Sequence, residues 1–232
     1  MDRRIRRIIT VALSLVGFAA IILAAAPPVI EQTNLANHTQ SQTPSQTAAG
    51  SAADALQTLA VKGRAPKTDY SRSQFGSGWT TTDGCDTRNI ILHRDLQNPV
   101  VDEKCIVESG TLNDPYTGTV IPFTKGSSDI QIDHVVALSD AWQTGAASFD
   151  RTTRIKLAND PLELVAVQGA ANQQKSDGDA ATWLPSNKSF RCQYVARQVA
   201  VKQKYSLWVT SAEKQAILGV LSSCPGQALP SA

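Results

Sequence analysis

The sequence carries almost no net charge, so it lacks the basic excess that often marks a nucleic-acid-binding protein. It has 22 lysines and arginines against 20 aspartates and glutamates. Without Asp2 and the four arginines of the first seven residues, 18 basic residues face 19 acidic ones, a net charge of −1. Acidic residues are also missing between Asp179 and Glu213, where five basic residues lie: Lys188, Arg191, Arg197, Lys202 and Lys204. This basic stripe suits either a phosphate-facing surface or a solvated helix face.

Residues 31–61 have few large apolar side chains and are rich in Gln, Ser, Thr, Ala and Asn. Such a composition buries too little surface to offset its ordering entropy, so it predicts a disordered polar linker. Before it, arginines precede an uncharged, largely apolar run from Ile8 to Ala26, which is typical of an export signal. Its length suits a cleaved signal peptide or a retained membrane anchor within residues 1–30. Residues 62–232 are then predicted to form one extracytoplasmic domain.

The four cysteines lack any C-x-x-C spacing, which argues against the rival interpretation of a structural zinc site. An even number of cysteines in an exported chain favours disulfides, and four cysteines allow three pairings. We favour Cys85–Cys105 and Cys192–Cys224, because each bond closes a compact local loop. The second bond would join two predicted helices, one capped at residue 186 or 187 and one begun by the capping box Thr210–Glu213.

The pattern of apolar residues predicts an α+β arrangement in the middle of the chain. Residues 130–136 and 162–167 are each predicted to form a strand, with helical segments between them. After the second strand, Gly169 leads into a predicted helix that carries Asn172 and Lys175. The predicted order is therefore strand, excursion, strand, helix.

Five short motifs occur in register along the same region. They are D-G-C-D-T-R-N at 83–89, D-P-Y-T-G at 114–118, Q-I-D-H-V-V-A-L-S-D-A-W at 131–142, N-D-P-x-x-L at 159–164 and N-Q-Q-K-x-D-x-D-A-A-T-W-L-P at 172–185. With these motifs the sequence resembles the HNH, or ββα-metal (His-Me finger), endonucleases, and in particular a secreted bacterial branch. The resemblance covers about Gly78 to Cys224. It implies an α+β fold with a ββα-metal core, additional helices and two stapling disulfides.

The resemblance also implies roles for four residues. His134 would be the general base and Asn159 would occupy the position of the group that orients it. Asp133 and Asn172 would bind one divalent cation, and their hard oxygen atoms favour Mg²⁺ first and Mn²⁺ second. Because adjacent strand residues point to opposite faces, the strand is expected to end at Asp133 and His134, with the phosphate astride its edge. An imidazole of ordinary pKa, ~6.5, would lose its activity as the pH falls below that value.

Three basic residues are candidate substrate contacts. Lys175 lies three residues after Asn172 and would share its helical face, where it could contact a phosphate or simply face solvent. Arg88 could bind a second phosphate or pair with Asp86 or Asp95. Arg191 belongs to the basic stripe.

These features predict an exported, metal-dependent endonuclease that hydrolyses DNA, with RNA as the alternative substrate, and with little sequence preference. The rival hypothesis is a binding or structural module of the cell envelope that keeps the scaffold without turnover. A weaker one directs the same chemistry at another envelope phosphodiester. The sequence predicts no protein partner, and it predicts contact with a membrane only through the N-terminal segment.

Overall fold

The computed structural model describes residues 50–230 and has a mixed helix-and-sheet fold. The helices are α1 (Ala52–Thr58), α2 (Thr87–Asp95), α3 (Leu138–Gln143), α4 (Arg151–Ala158), α5 (Gly169–Lys175), α6 (Arg191–Lys204) and α7 (Ser211–Leu221). The strands are β1 (Thr81–Thr82), β2 (Cys85–Asp86), β3 (Leu96–Val101), β4 (Val107–Asn113), β5 (Val120–Thr124), β6 (Ile130–His134) and β7 (Leu164–Gln168). The predicted export segment lies outside the described residues, and no helix from residue 50 to residue 230 is long and apolar enough to cross a bilayer.

Helix α1 occupies a stretch that the sequence assigned to the disordered linker, and that assignment is wrong for residues 52–58. Ser51 caps the helix through a reciprocal capping box with Asp54. Ala52 and Leu56 are completely buried in the main hydrophobic cluster, where α1 packs against α6 and α7. Small side chains allow this close approach, so a segment of unremarkable composition becomes part of the core.

The antiparallel pair β6–β7 is buried on both faces and separates two hydrophobic clusters. Ile130 and Ile132 of β6 join one cluster, together with Leu164 and Ala166 of β7. Val165 and Val167 of β7 belong to the other cluster, which also contains the buried residues of most of the helices. Since side chains alternate along a strand, β7 needs apolar residues at consecutive positions to fill both sides. The next element is α5, so the observed order is strand, helical excursion, strand, helix.

The two predicted disulfides are present in the structure. Cys85 and Cys105 join β2 to the turn between β3 and β4, with their Cα atoms 5.2 Å apart. Cys192 and Cys224 join α6 to the segment after α7, across 6.4 Å between Cα atoms. The capping box of Thr210 and Glu213 that begins α7 is also confirmed.

The five residues of the predicted basic stripe do not share one exposed surface: two are exposed, two are half-buried and one is completely buried. Lys202 is completely buried, and its ammonium lies 3.0 Å from Asp140 and 2.8 Å from Glu213. Arg197 donates to the backbone carbonyls of residues 161 and 162, and Lys204 pairs with Asp160. A helix with apolar residues on one side can also bury charged side chains when carboxylates from neighbouring elements meet them.

Replacing Leu56 tests whether α1 belongs to the folded domain. Leu56→Ala should lower the free energy of unfolding by ~2–5 kcal/mol, as truncation of a buried leucine does. The exposed neighbour Gln57 provides the control, and Gln57→Ala should change it by less than ~0.5 kcal/mol. Chemical denaturation of both variants measures this. If both substitutions left the free energy of unfolding unchanged, residues 52–58 would belong to the linker and not to the folded domain.

Candidate active site

Strand β6 ends at His134, which brings two neighbouring side chains to one opening. His134 pairs with Leu164 and Asp133 with Val165 across the two strands, so the two side chains leave opposite faces of the pair. Both residues nevertheless line a cleft of about 370 Å³. The cleft sits at the end of the strand, in agreement with the expectation from the strand geometry.

The imidazole of His134 is held by a backbone carbonyl. Its Nε2 lies 2.9 Å from the carbonyl oxygen of Ala158. A carbonyl oxygen only accepts, so Nε2 carries the hydrogen and the neutral ring presents a bare Nδ1. Among residues 50–230 no group forms a hydrogen bond with Nδ1. The ring therefore has a free acceptor, as a general base requires.

The surroundings of His134 keep its ring uncharged. The residue is only 5% exposed, and the ring of Trp79 stacks nearly parallel to the imidazole, with centroids 5.8 Å apart. Burial lowers the pKa of His134 to about 3, and the positive charges of Arg72 and Lys175 act in the same direction against the hydrogen bond to Ala158. This corrects the expectation of an ordinary imidazole pKa, because His134 is almost completely buried.

Asn159 lies beside the orienting group instead of providing it. Its Oδ1 accepts from the backbone N–H of Thr80 at 2.9 Å, and its Nδ2 donates to the carbonyl of Ile155 at 3.0 Å. These bonds cap the end of α4 and fasten the segment that carries Trp79. The predicted position is thus one residue from the group that contacts His134, the carbonyl of Ala158.

Asp133 is buried, and hydrogen-bond donors engage both of its carboxylate oxygens. The ammonium of Lys175 lies 3.0 Å from Oδ1 and also donates to the carbonyl of His134 at 2.8 Å. The hydroxyl of Tyr116 donates to Oδ2 at 2.5 Å. Burial raises the pKa of the Asp133 carboxyl, while Lys175 and Tyr116 oppose that shift. A carboxylate with these partners does not fit the predicted role of direct metal ligand.

The D-P-Y-T-G motif provides the turn that delivers Tyr116. Asp114 accepts from the backbone N–H of Thr117 at 2.8 Å and from that of Gln168 at 2.9 Å, which ties the turn to the end of β7. Trp183 packs against the Tyr116 ring, with centroids 4.9 Å apart. Two of the motifs therefore meet at the hydroxyl that contacts Asp133.

Asn172 has an oxygen available to the cleft. It lines the cleft from α5, and its Nδ2 donates to Oε1 of Gln131 at 2.9 Å. This bond holds the amide nitrogen, so Oδ1 remains for another partner; within the described part of the chain it accepts no hydrogen bond. An amide oxygen at the edge of a polar cleft fits a hard cation that keeps most of its water ligands.

The three predicted substrate contacts do not meet in the cleft. The ammonium of Lys175 is completely buried against Asp133, so it is neither the predicted phosphate contact nor the alternative, a side chain that faces solvent. Arg88 is half-buried on α2, where burial lowers its pKa, and it lines neither cavity beside His134. Arg191 donates to the carbonyl of Pro185 at 2.7 Å, away from both cavities.

Two residues that sequence reasoning missed lie next to His134. Trp79 stacks on the imidazole, and Arg72 is exposed and lines both cavities that flank it. Within residues 50–230 the Arg72 guanidinium makes no hydrogen bond or ion pair. Neither residue lies in any of the five sequence motifs, so the sequence alone did not indicate a role for them.

The family of the chain follows from comparison with known proteins. Residues 86–220 match the model of the GmrSD restriction endonucleases, C-terminal domain. The chain belongs to this family. The predicted kinship with nucleases is confirmed at that level, and the narrower HNH assignment stays a prediction. The GmrSD match includes Asp133, His134 and Asn172, but Arg72 and Trp79 precede it.

A curated relative shares most of the chain. An "Uncharacterized secreted protein" of Arthroderma benhamiae is 39% identical over 183 residues, which cover 78% of this chain and 88% of the relative. No solved structure gives a significant match.

Replacing Lys175 distinguishes a buried ion pair from a phosphate contact. Lys175→Met should lower the free energy of unfolding by ~3–5 kcal/mol, because it leaves the Asp133 charge buried without a partner. The exposed pair of Lys67 and Asp177, 2.9 Å apart, provides the control, and Lys67→Met should cost at most ~1 kcal/mol. Urea denaturation gives both values. A stable Lys175→Met protein with weakened nucleic-acid binding would contradict the buried-pair interpretation.

Proposed function

We propose that the protein is an extracellular endonuclease of the HNH type, which hydrolyses phosphodiester bonds of DNA, with RNA as the alternative substrate, and with little sequence preference. The observation that carries this proposal is the free Nδ1 of His134 at a polar cleft within a nuclease-type family domain. Two local disulfides suit an oxidising compartment, and the relative's name describes a secreted protein.

His134 is the proposed general base. Nδ1 would take a proton from the attacking water, and the ring would then carry a positive charge. The Ala158 carbonyl at Nε2 supports that step twice, because it selects the tautomer with a free Nδ1 and then stabilises the imidazolium. The stacked Trp79 limits rotation of the ring.

The depressed basicity of His134 suggests that substrate binding activates it. In the free protein, burial and the charge of Arg72 favour the neutral ring. A phosphodiester anion between Arg72 and His134 would offset the arginine charge and favour the protonated ring. The proposed base would therefore gain basicity when the substrate is in place.

A divalent cation is the proposed cofactor, with Mg²⁺ favoured and Mn²⁺ possible. Asn172 would hold it through Oδ1, and water and phosphate oxygens would complete its coordination. When bound, such a cation would stabilise the charge that develops on the phosphate and on the leaving oxygen. Asp133 would act indirectly, by holding Lys175 and Tyr116 behind the cleft.

The decisive experiment compares two histidine variants on plasmid DNA with Mg²⁺. His134→Ala should reduce the cleavage rate by ~10²–10⁴-fold, because it removes acid–base catalysis. His93 is exposed on α2 and lines neither cavity beside His134, so His93→Ala should cleave at the wild-type rate. Chelation of divalent cations should abolish cleavage by the unaltered protein.

Two results would contradict the proposal. Cleavage by a folded His134→Ala protein at the wild-type rate would contradict the role of His134 as the general base. Undiminished cleavage in excess chelator would remove the cation and the role of Asn172. Since His134 is buried, unfolding of each variant should be measured, with His134→Gln as a second variant that fills more of the space.

A further inference from the structure

A second cavity adjoins the polar cleft at His134, Arg72 and Leu138. We name it the side pocket; its walls include Phe75, Gly78, Trp79, Leu138 and His134, and Arg72 lines both the side pocket and the cleft. The proposed reaction chemistry uses only the cleft. The side pocket therefore needs an explanation of its own.

The size and the lining of the side pocket suit one planar ring. Its volume is about 150 Å³, and a cavity of about that size in another protein binds benzene. Phe75, Trp79 and Leu138 make much of its wall apolar. The indole of Trp79 is only half-buried and already lies parallel to one flat ring, the imidazole of His134. Aromatic side chains beside a cationic group are the usual means of holding the bases of single-stranded nucleic acids.

Arg72 indicates how a nucleotide would lie across the two cavities. Its exposed guanidinium stands where the side pocket and the cleft adjoin and has no partner in residues 50–230. The other basic residue of the cleft, Lys67, is already paired with Asp177. Arg72 is thus the cation available to a phosphate beside His134, and a base attached to that phosphate would meet the side pocket.

We propose that the side pocket binds one unpaired nucleobase next to the scissile phosphate, so that the preferred substrate is single-stranded or locally unpaired nucleic acid. A base that remains stacked and paired in a duplex presents only its edge and cannot enter. This inference rests on the proposed nuclease function and adds to it the strandedness of the substrate. Trp79 is the stacking platform, and Arg72 positions the phosphate.

The first test uses the unaltered full-length protein and single-stranded oligonucleotides with one defined cleavage site. Removing the base on one side of the scissile phosphate, as an abasic nucleotide, should raise KM by ~5- to 150-fold, the range expected for loss of one stacked base. Removing a base several nucleotides away should leave KM unchanged. A fully paired duplex of the same sequence should be cleaved more slowly than the single strand.

The second test separates base stacking from support of the His134 ring, which Trp79 also contacts. Trp79→Leu should raise KM on the intact strand and add nothing further on the abasic strand, because the interaction has already been removed. Trp79→Phe should restore most of the affinity. Trp208 contacts Lys62 and Gly63 and lines neither cavity, so Trp208→Leu should leave KM unchanged.

The outcomes distinguish this inference from the function on which it rests. Equal KM values for intact and abasic strands, with cleavage intact, would overturn the side-pocket proposal alone. So would an increase in KM by Trp79→Leu that is equally large on both strands, since stacking of Trp79 on the base would then contribute nothing to binding. Failure to cleave any nucleic acid would overturn the nuclease function and the side-pocket proposal together.

Discussion

The hydrogen bond between His134 Nε2 and the Ala158 carbonyl is the contact on which the candidate site depends. It joins the last residue of β6 to the last residue of α4, and these two residues are 24 positions apart in the chain. His134 is the last residue of β6 and lies on the face of the strand pair that carries Ile132 and Leu164, so its imidazole is buried. A neutral ring whose Nε2 is held by a carbonyl has Nδ1 free, and His134 is one of the residues that line the cleft.

On the opposite face of the same strand, the buried carboxylate of Asp133 needs hydrogen-bonding partners. Asp133 points into the helical cluster, where an unpaired carboxylate would be strongly destabilising. Lys175 and Tyr116 satisfy it, and the D-P-Y-T-G turn and Trp183 hold Tyr116 in place. The motif residues around Asp133 therefore account for the shape of the cleft wall. We infer that they contribute to catalysis through this support.

The sequence predicts well whatever depends on local pattern. The paired cysteines, the capping box at Thr210 and the order from β6 to α5 follow from spacing and periodicity, and the structure has them. It predicts poorly whatever depends on long-range contacts. In the sequence, Lys175 and Lys202 have the pattern of surface residues, and only the fold shows that carboxylates of distant residues pair with them. Arg72 and Trp79 belong to no motif, and only the fold brings them to His134.

The same limit explains the errors about α1 and Asn159. The alanines of α1 were predicted to be linker because a short helix of small residues is stable only through its packing against the rest of the domain. The sequence does not show that packing. Asn159 matches the motif, yet the contact to His134 comes from a backbone carbonyl one position earlier. Every residue has a backbone carbonyl, so the residue type at position 158 cannot indicate that its carbonyl contacts His134.

Nitrogen-15 NMR of the His134 ring in the free protein tests the central claim most directly. We predict a neutral ring protonated at Nε2, with Nδ1 bare, and we predict that this form persists from pH 7 to below pH 5, because burial lowers the pKa of His134 to about 3. The spectrum of His134→Gln assigns the signal. A neutral ring protonated at Nδ1, or a ring that gains its second proton near the ordinary value of ~6.5, would contradict the account.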